Sequence, residues 1–165
     1  MIVYLVGMPG SGKSTVGAEL AGRYGVPFVD LDVEIERETG KPIGRIFSEE
    51  GEAAFRALEA KALVKASLED PSVVACGGGV VLEPANRIAL RNTGICVYLD
   101  VPLEQLKARV QPATDRPLIR AEGDLERLLE AREPLYREFA AHVVDASGAP
   151  GEVADAIVEE LRWSA

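Results

Sequence analysis

The chain has 165 residues, 47% apolar and 27% charged, with a formal net charge of −9. That length suits one compact domain around a single core, and the acidic balance argues against a general nucleic-acid binder. No apolar run approaches the roughly 20 residues of a membrane span. The opening Met-Ile-Val-Tyr-Leu-Val-Gly has neither a basic lead-in nor a small-residue cleavage pattern, so a cytoplasmic protein without membrane or nucleic-acid partners is expected.

Ile2 to Val6 is a short β-rich apolar run, the pattern of a buried strand. After a glycine-rich turn, Ser14 to Tyr24 carries Val16, Leu20 and Tyr24 at helical spacing. Phe28 to Asp32 reads as a second strand. Val33 to Glu38 and Ile43 to Glu49 read as short helices split by Gly40 and Pro42. Glu52 to Leu68 is the longest helical pattern, with Phe55, Leu58, Ala62 and Leu63 on one face. A third strand, Ser72 to Cys76, ends in Gly77-Gly78-Gly79, and a helix over Ala85 to Arg91 leads to a fourth strand, Ile95 to Leu99. Pro102 opens a helix over Leu103 to Val110. Gln111 to Gly123 is polar and aperiodic, and a helix then runs from Asp124 to about Phe139. A strand at His142 to Asp145 and a helix from Pro150 to Arg162 complete the pattern. Strands alternating with helices predict an α/β domain, a parallel sheet covered on both faces. Ligands of such sheets bind beyond the carboxyl ends of the strands, here near Gly7, Asp32 and Gly77.

The strongest local signal is Gly7-Met-Pro-Gly-Ser-Gly-Lys13-Ser14, which fits G-x-x-x-x-G-K-[ST] between a strand and a helix. Its glycines let backbone N–H groups curl around an anion, and the following helix adds its positive N-terminus. Lys13 is placed to reach the β- and γ-phosphates of ATP, and the Ser14 hydroxyl to ligate Mg²⁺. Asp30 and Asp32, read as closing the second strand, would share one face of it; one could serve the metal and the other take a proton from a substrate hydroxyl. Solvated turn residues are the alternative for this pair.

Of the 18 basic residues, 13 are Arg, the side chain suited to a bidentate grip on carboxylate or phosphate. Arg56 has Glu52 and Glu59 one turn to either side, which would fix its guanidinium, although spacing alone favours a solvated ion-pair stripe. Gly77, Gly78 and Gly79 at a strand end suggest close approach of backbone to a ligand, with a flexible turn as the rival reading. Arg109, Arg116 and Arg120 lie in or beside Gln111 to Gly123, as the arginines of a phosphoryl-transfer lid would; a plain surface loop stays open. Arg132, two residues before Pro134, is a further basic candidate. Cys76 and Cys96 sit in apolar runs and read as core thiols, and the single histidine, His142, forms no zinc-type cluster.

Taken together, GMPGSGKST, Asp30-Leu-Asp32, Gly51-Glu-Ala-Ala-Phe-Arg56, the triple glycine, Asp115-Arg-Pro-Leu118 and Arg132-Glu-Pro-Leu-Tyr136 resemble shikimate kinase over nearly the whole chain. The resemblance implies a three-layer P-loop kinase fold with a central five-stranded parallel sheet. A substrate-binding segment at about 32–62 and a lid at about 111–123 would belong to one domain, 1–165. It implies an ATP- and Mg²⁺-dependent enzyme acting on the 3-hydroxyl of shikimate; a monomer is expected only in that nothing in the sequence suggests an obligate interface. Gly10, Ser11, Gly12, Lys13, Ser14, Thr15, Arg109 and Arg116 would bind ATP, and Ser14 and Asp30 the metal. Asp32, Arg56, Gly77, Gly78, Gly79 and Arg132 would bind shikimate, with Phe47 and Phe55 walling its ring. Lys13, Asp32 and Arg116 would be catalytic. Two departures from the family pattern stand out: Ala75 replaces a frequent hydroxyl residue, and the stretch from Ala146 to Gly151 has no basic residue. A gluconate kinase of similar build and a nucleotide-binding regulatory module without transfer activity are the competing readings. The carboxylate clamp taken with the Asp-Leu-Asp and triple-glycine strings opposes the first, and the candidates for a second small-molecule pocket and for lid arginines oppose the other.

Overall fold

A computed structural model describes residues 1–110 and 117–162. Five strands form one all-parallel sheet in the order β2-β3-β1-β4-β5. They are β1 (Ile2–Val6), β2 (Phe28–Asp30), β3 (Ser72–Ala75), β4 (Ile95–Asp100) and β5 (His142–Asp145). β1 is the middle strand and every residue in it is buried, which explains its unbroken apolar run rather than an alternating one. Each fully buried Val, Leu or Ile there contributes roughly 1.5–3 kcal/mol of transfer free energy.

Among the described residues, eight α-helices flank the sheet: α1 (Lys13–Tyr24), α2 (Leu31–Thr39), α3 (Ile43–Glu50), α4 (Glu52–Ala66), α5 (Pro84–Thr93), α6 (Leu103–Arg109), α7 (Asp124–Phe139) and α8 (Pro150–Leu161). α1 packs on α8 and β3, α5 and α7 pack on β4, and α2, α3 and α4 pack on one another beside β2. A short 3₁₀ turn, Val80–Leu82, follows the triple glycine and packs on α4, α5 and α7. α1 approaches the edge strand closely because it carries Gly17, where a Cβ would sit 2.6 Å from the Phe28 ring. Pro134 lies inside α7 without ending it. Cys76 and Cys96 are buried, and neither forms a disulfide. Among the described residues no helix is long and apolar enough to cross a membrane.

Asp30 and Asp32 do not share a strand face. β2 ends at Asp30, and Asp32 already lies in the first turn of α2. Asp30 is the N-cap: its Oδ1 accepts from the backbone N–H of Asp32 at 3.0 Å and of Val33 at 3.3 Å. A carboxylate that satisfies two otherwise orphaned N–H groups and faces a helix N-terminus favours the helical turn over one more strand residue.

The other close backbone approach in the sheet is at Gly94, between α5 and β4. A Cβ there would lie 2.4 Å from the Ile2 carbonyl oxygen and 2.7 Å from Tyr4 Cε2. Because the first neighbour is backbone of the central strand, the strand itself must move. Gly94→Ala is therefore expected to destabilise the protein by about 2 kcal/mol, the usual scale of overpacking; urea denaturation of both proteins measures it, and equal midpoints would refute the steric account.

Candidate active site

Residues Gly7 to Gly12 leave β1 and turn into α1, whose N-cap Gly12 has φ 93°. That left-handed conformation suits only glycine without strain. Gly10, at φ 82°, approaches the C-terminal end of α6 so closely that a Cβ would lie 2.5 Å from Val110 Cγ2. The turn is closed by Ser11 N–H donating to the Met8 carbonyl at 3.1 Å. Lys13 folds back over it, its Nζ donating to the carbonyls of Gly7 at 2.7 Å and Met8 at 3.0 Å. Desolvation depresses the Lys13 ammonium to about 8, against the opposing pull of Asp32. The Ser14 hydroxyl donates to Asp30 Oδ2, so the two oxygens of Asp30 divide between α1 and the N-terminus of α2.

A cleft of about 440 Å³ opens at the carboxyl ends of β1, β2 and β3. The phosphate loop with Lys13, Ser14 and Thr15 forms one wall, and Asp32, Glu36, Ile43, Phe47, Phe55 and Arg56 another. Gly77, Gly78 and Gly79 lie between them with Glu59 and Arg132. Pro117, Leu118 and Ile119, from the segment before α7, also reach the cleft. A smaller, neighbouring cleft is lined by Gly10, Ser11, Gly12, Thr15 and Arg109 together with Ala146, Gly148 and Pro150. Arg109 Nη1 donates to the Gly10 carbonyl at 3.1 Å.

Arg56 is not the solvated residue that its spacing suggested. It is 16% exposed and held by Glu52 Oε1 at 3.2 Å and Glu59 Oε1 at 3.0 Å. Its Cζ lies 5.3 Å from the centre of the Phe55 ring, which packs on Phe47 at 4.8 Å between centroids. Arg132, from α7, is 4% exposed and faces the same cleft. Two acids meet these cations, Glu59 buried and Asp32 half-buried. Asp32 Oδ1 and Glu59 Oε2 are both buried and accept no hydrogen bond. Burial, more than any neighbouring charge, raises the pKa of both carboxyls.

Of the predicted site residues within the described segments, all but Asp30 and Arg120 line these two adjoining clefts; Asp30 adjoins the larger one through Ser14, whereas Arg120 is exposed and lines neither. Arg116, predicted as a lid residue, lies outside the described residues with the rest of 111–116. The sequence reading missed Glu59, treating it only as a holder of Arg56. It is 0% exposed and falls on the face that buries Phe55, Ala62, Leu63 and Ala66. An acid within the apolar stripe of α4 was the available signal. Tyr136, fully buried with its hydroxyl donating to the Gly78 carbonyl, was missed as well.

Two anion-capable elements, the phosphate loop and the Arg56–Arg132 pair, therefore face one cleft with a desolvated carboxyl between them. Comparison with known proteins agrees with that arrangement. The shikimate kinase of Aromatoleum aromaticum is 48% identical over 155 residues, 92% of this chain and 89% of that protein. That of Halorhodospira halophila is 46% identical over 97% of this chain and 93% of its own length. The structure of shikimate kinase from Acinetobacter baumannii in complex with shikimate superposes with a TM-score of 0.94 at 40% identity, covering 98% of this chain and 92% of that one. Residues 9–162 match the family model for shikimate kinase, and the chain belongs to that family.

Proposed function

We propose that this enzyme transfers the γ-phosphoryl group of ATP to the 3-hydroxyl of shikimate, giving shikimate 3-phosphate and ADP for aromatic amino acid biosynthesis. The observation that carries the reading is the pair of sheltered arginines, Arg56 and Arg132, in the same cleft as the phosphate loop. Two guanidiniums with little access to water are matched to a carboxylate on a small, otherwise uncharged acceptor. Gluconate is also a carboxylate, but the apolar wall of Phe47 and Phe55 suits the flat face of a ring better than an open polyol chain.

Within that reading, Gly10, Ser11, Gly12 and Thr15 cradle the phosphates and Lys13 leaves its two loop carbonyls to meet them. Arg109 borders the adenine in the smaller cleft. Asp32 accepts the proton of the acceptor hydroxyl as the oxygen attacks, a role its burial serves by raising its affinity for that proton. Gly77, Gly78 and Gly79 offer backbone groups to the acceptor ring. Arg116, by its place in Asp115-Arg-Pro-Leu118, neutralises charge on the transferring group. We read 1–165 as one domain and the enzyme as a cytoplasmic monomer.

Mg²⁺ is implied by the family. Ser14 Oγ and Asp30 Oδ2 are adjacent hard oxygen donors on elements that frame the phosphate loop, which suits it. Among the described residues no group of three or more His, Cys, Asp or Glu could hold a metal. When bound, Mg²⁺ neutralises charge on the β- and γ-phosphate oxygens. Ala75, the β3 partner of Asp30 in the β2–β3 register, offers no hydroxyl there.

Coupled ADP release with ATP and Mg²⁺ tests the reaction: fast release is expected with shikimate and not with gluconate or without acceptor, and the reverse pattern overturns the assignment. Arg56→Ala should raise the KM for shikimate about 10- to 100-fold, the worth of a charge-assisted hydrogen bond, with the KM for ATP within about twofold; an unchanged shikimate KM would leave Arg56 a structural ion pair. The depressed Lys13 ammonium predicts a pH effect with a definite sign. Below about pH 8 the free enzyme already carries the proton that phosphates demand; above it, binding must take that proton up. ATP affinity should therefore fall by up to about tenfold per pH unit above 8. Calorimetric titrations at about pH 7.5 and pH 9.5 measure this, and equal affinities would overturn the coupling of Lys13 protonation to ATP binding.

A further inference from the structure

α7 carries two buried polar side chains one turn apart, Arg132 and Tyr136. Only the first has a place in the reading above. The Tyr136 ring stacks on Tyr98 of β4, with centroids 5.0 Å apart and planes at 20°, so strand and helix packing hold it. Its hydroxyl donates to the Gly78 carbonyl oxygen. Burial pushes the phenol up to about 12, so it remains a donor throughout the working range of the protein.

Gly78 is where the two halves of the cleft meet. A Cβ on it would lie 3.0 Å from Arg132 Nη1, 3.3 Å from Pro9 Cδ and 3.6 Å from the Gly7 carbonyl oxygen. The carbonyls to either side are tied locally, Gly77 by Val80 N–H at 3.1 Å and Gly79 by Leu82 N–H at 3.1 Å. The Gly78 carbonyl is instead tied by a side chain from a distant element. That tie fixes more than one oxygen. A peptide unit is planar and trans, so a carbonyl pinned toward α7 turns the Gly79 N–H to the opposite side. With no side chain on any of the three residues, the backbone alone resists rotation only weakly.

We propose that Tyr136 is a positioning residue of the acceptor site: its hydroxyl sets the plane of the Gly78–Gly79 peptide, and thereby the backbone donors and the neighbouring Arg132 guanidinium that receive the acceptor. This rests on the acceptor cleft assigned above. Tyr136 touches neither substrate; it acts through Gly78 and through Arg132, one turn away on the same helix.

Tyr136→Phe keeps the stacked ring and removes only the hydroxyl. The KM for shikimate should rise about tenfold, the effect of one misplaced hydrogen-bonded contact. The value of kcat should change less, and the KM for ATP should stay within about twofold. A shikimate KM within about twofold of wild type overturns the proposal, even if the melting temperature falls, because a hydroxyl that only satisfies a buried carbonyl affects stability alone. Amide hydrogen exchange at Gly78 and Gly79, followed by NMR in the ligand-free proteins, gives a second reading that needs no substrate. Faster exchange in the variant supports the tie and equal exchange rejects it. Wild-type enzyme inert toward shikimate would sink the functional assignment, while the exchange comparison still decides the role of Tyr136.

Discussion

The active-site cleft depends on the missing Cβ atoms at the end of β3. A side chain at Gly77 would begin 2.7 Å from Glu59 Oε2 and 3.1 Å from Asp32 Oδ1, and one at Gly79 would begin within 2.5 Å of three atoms of the Arg56 guanidinium. The contacts with Glu59 and Arg56 are shorter than real Cβ atoms show and the one with Asp32 is tight, so a side chain at Gly77 or Gly79 would displace the charged ends of those side chains. Four ionisable side chains from α2, α4 and α7 can approach one backbone segment only because it presents no side chains of its own. The entropy glycine loses on folding is substantial, and the site is what that cost makes room for.

The same crowding leaves the charges poorly satisfied. Asp32 Oδ1, Glu59 Oε2 and Arg56 Nε are buried without a hydrogen-bond partner, and each such atom costs roughly 1–3 kcal/mol. A fold optimised for stability alone would replace them with apolar groups of similar volume. Their retention fits a site organised in advance for a ligand with its own hydroxyl donors and carboxylate acceptors. Shelter from water adds to this by strengthening each electrostatic contact the ligand makes.

What could be read from sequence divides along the range of the interactions involved. The phosphate loop was legible because its function is a local backbone shape, spelled by glycines between a strand and a helix. The sheet was legible because strands buried on both faces have unbroken apolar runs. Asp32 was misplaced because Phe-Val-Asp-Leu-Asp continues an alternating pattern, while the deciding event, capping of α2 by Asp30, competes with that pattern over only two residues. Arg56, Glu59 and Tyr136 were harder for a different reason. On a lone helix an Arg between two Glu is a surface stripe; burial came from the triple glycine and from α7, far away in the chain. Glu59 alone gave a warning, by interrupting an apolar face.

Gly78 ties the nucleotide side of the cleft to the acceptor side. A side chain there would run into both Pro9 of the phosphate loop and Arg132, and Tyr136 anchors the Gly78 carbonyl to α7. α7 in turn follows the segment that carries Pro117, Leu118 and Ile119 into the cleft. Because packed interiors resist small displacements, a shift of α7 must move Arg132 and the Gly78 peptide together, and the loop that holds Lys13 passes close enough that a Cβ on Gly78 would meet Pro9. Phosphoryl transfer needs the acceptor oxygen and the γ-phosphorus aligned within a fraction of an ångström. The close approach of the phosphate loop to Gly78, with no side chain between them, gives that alignment a rigid basis.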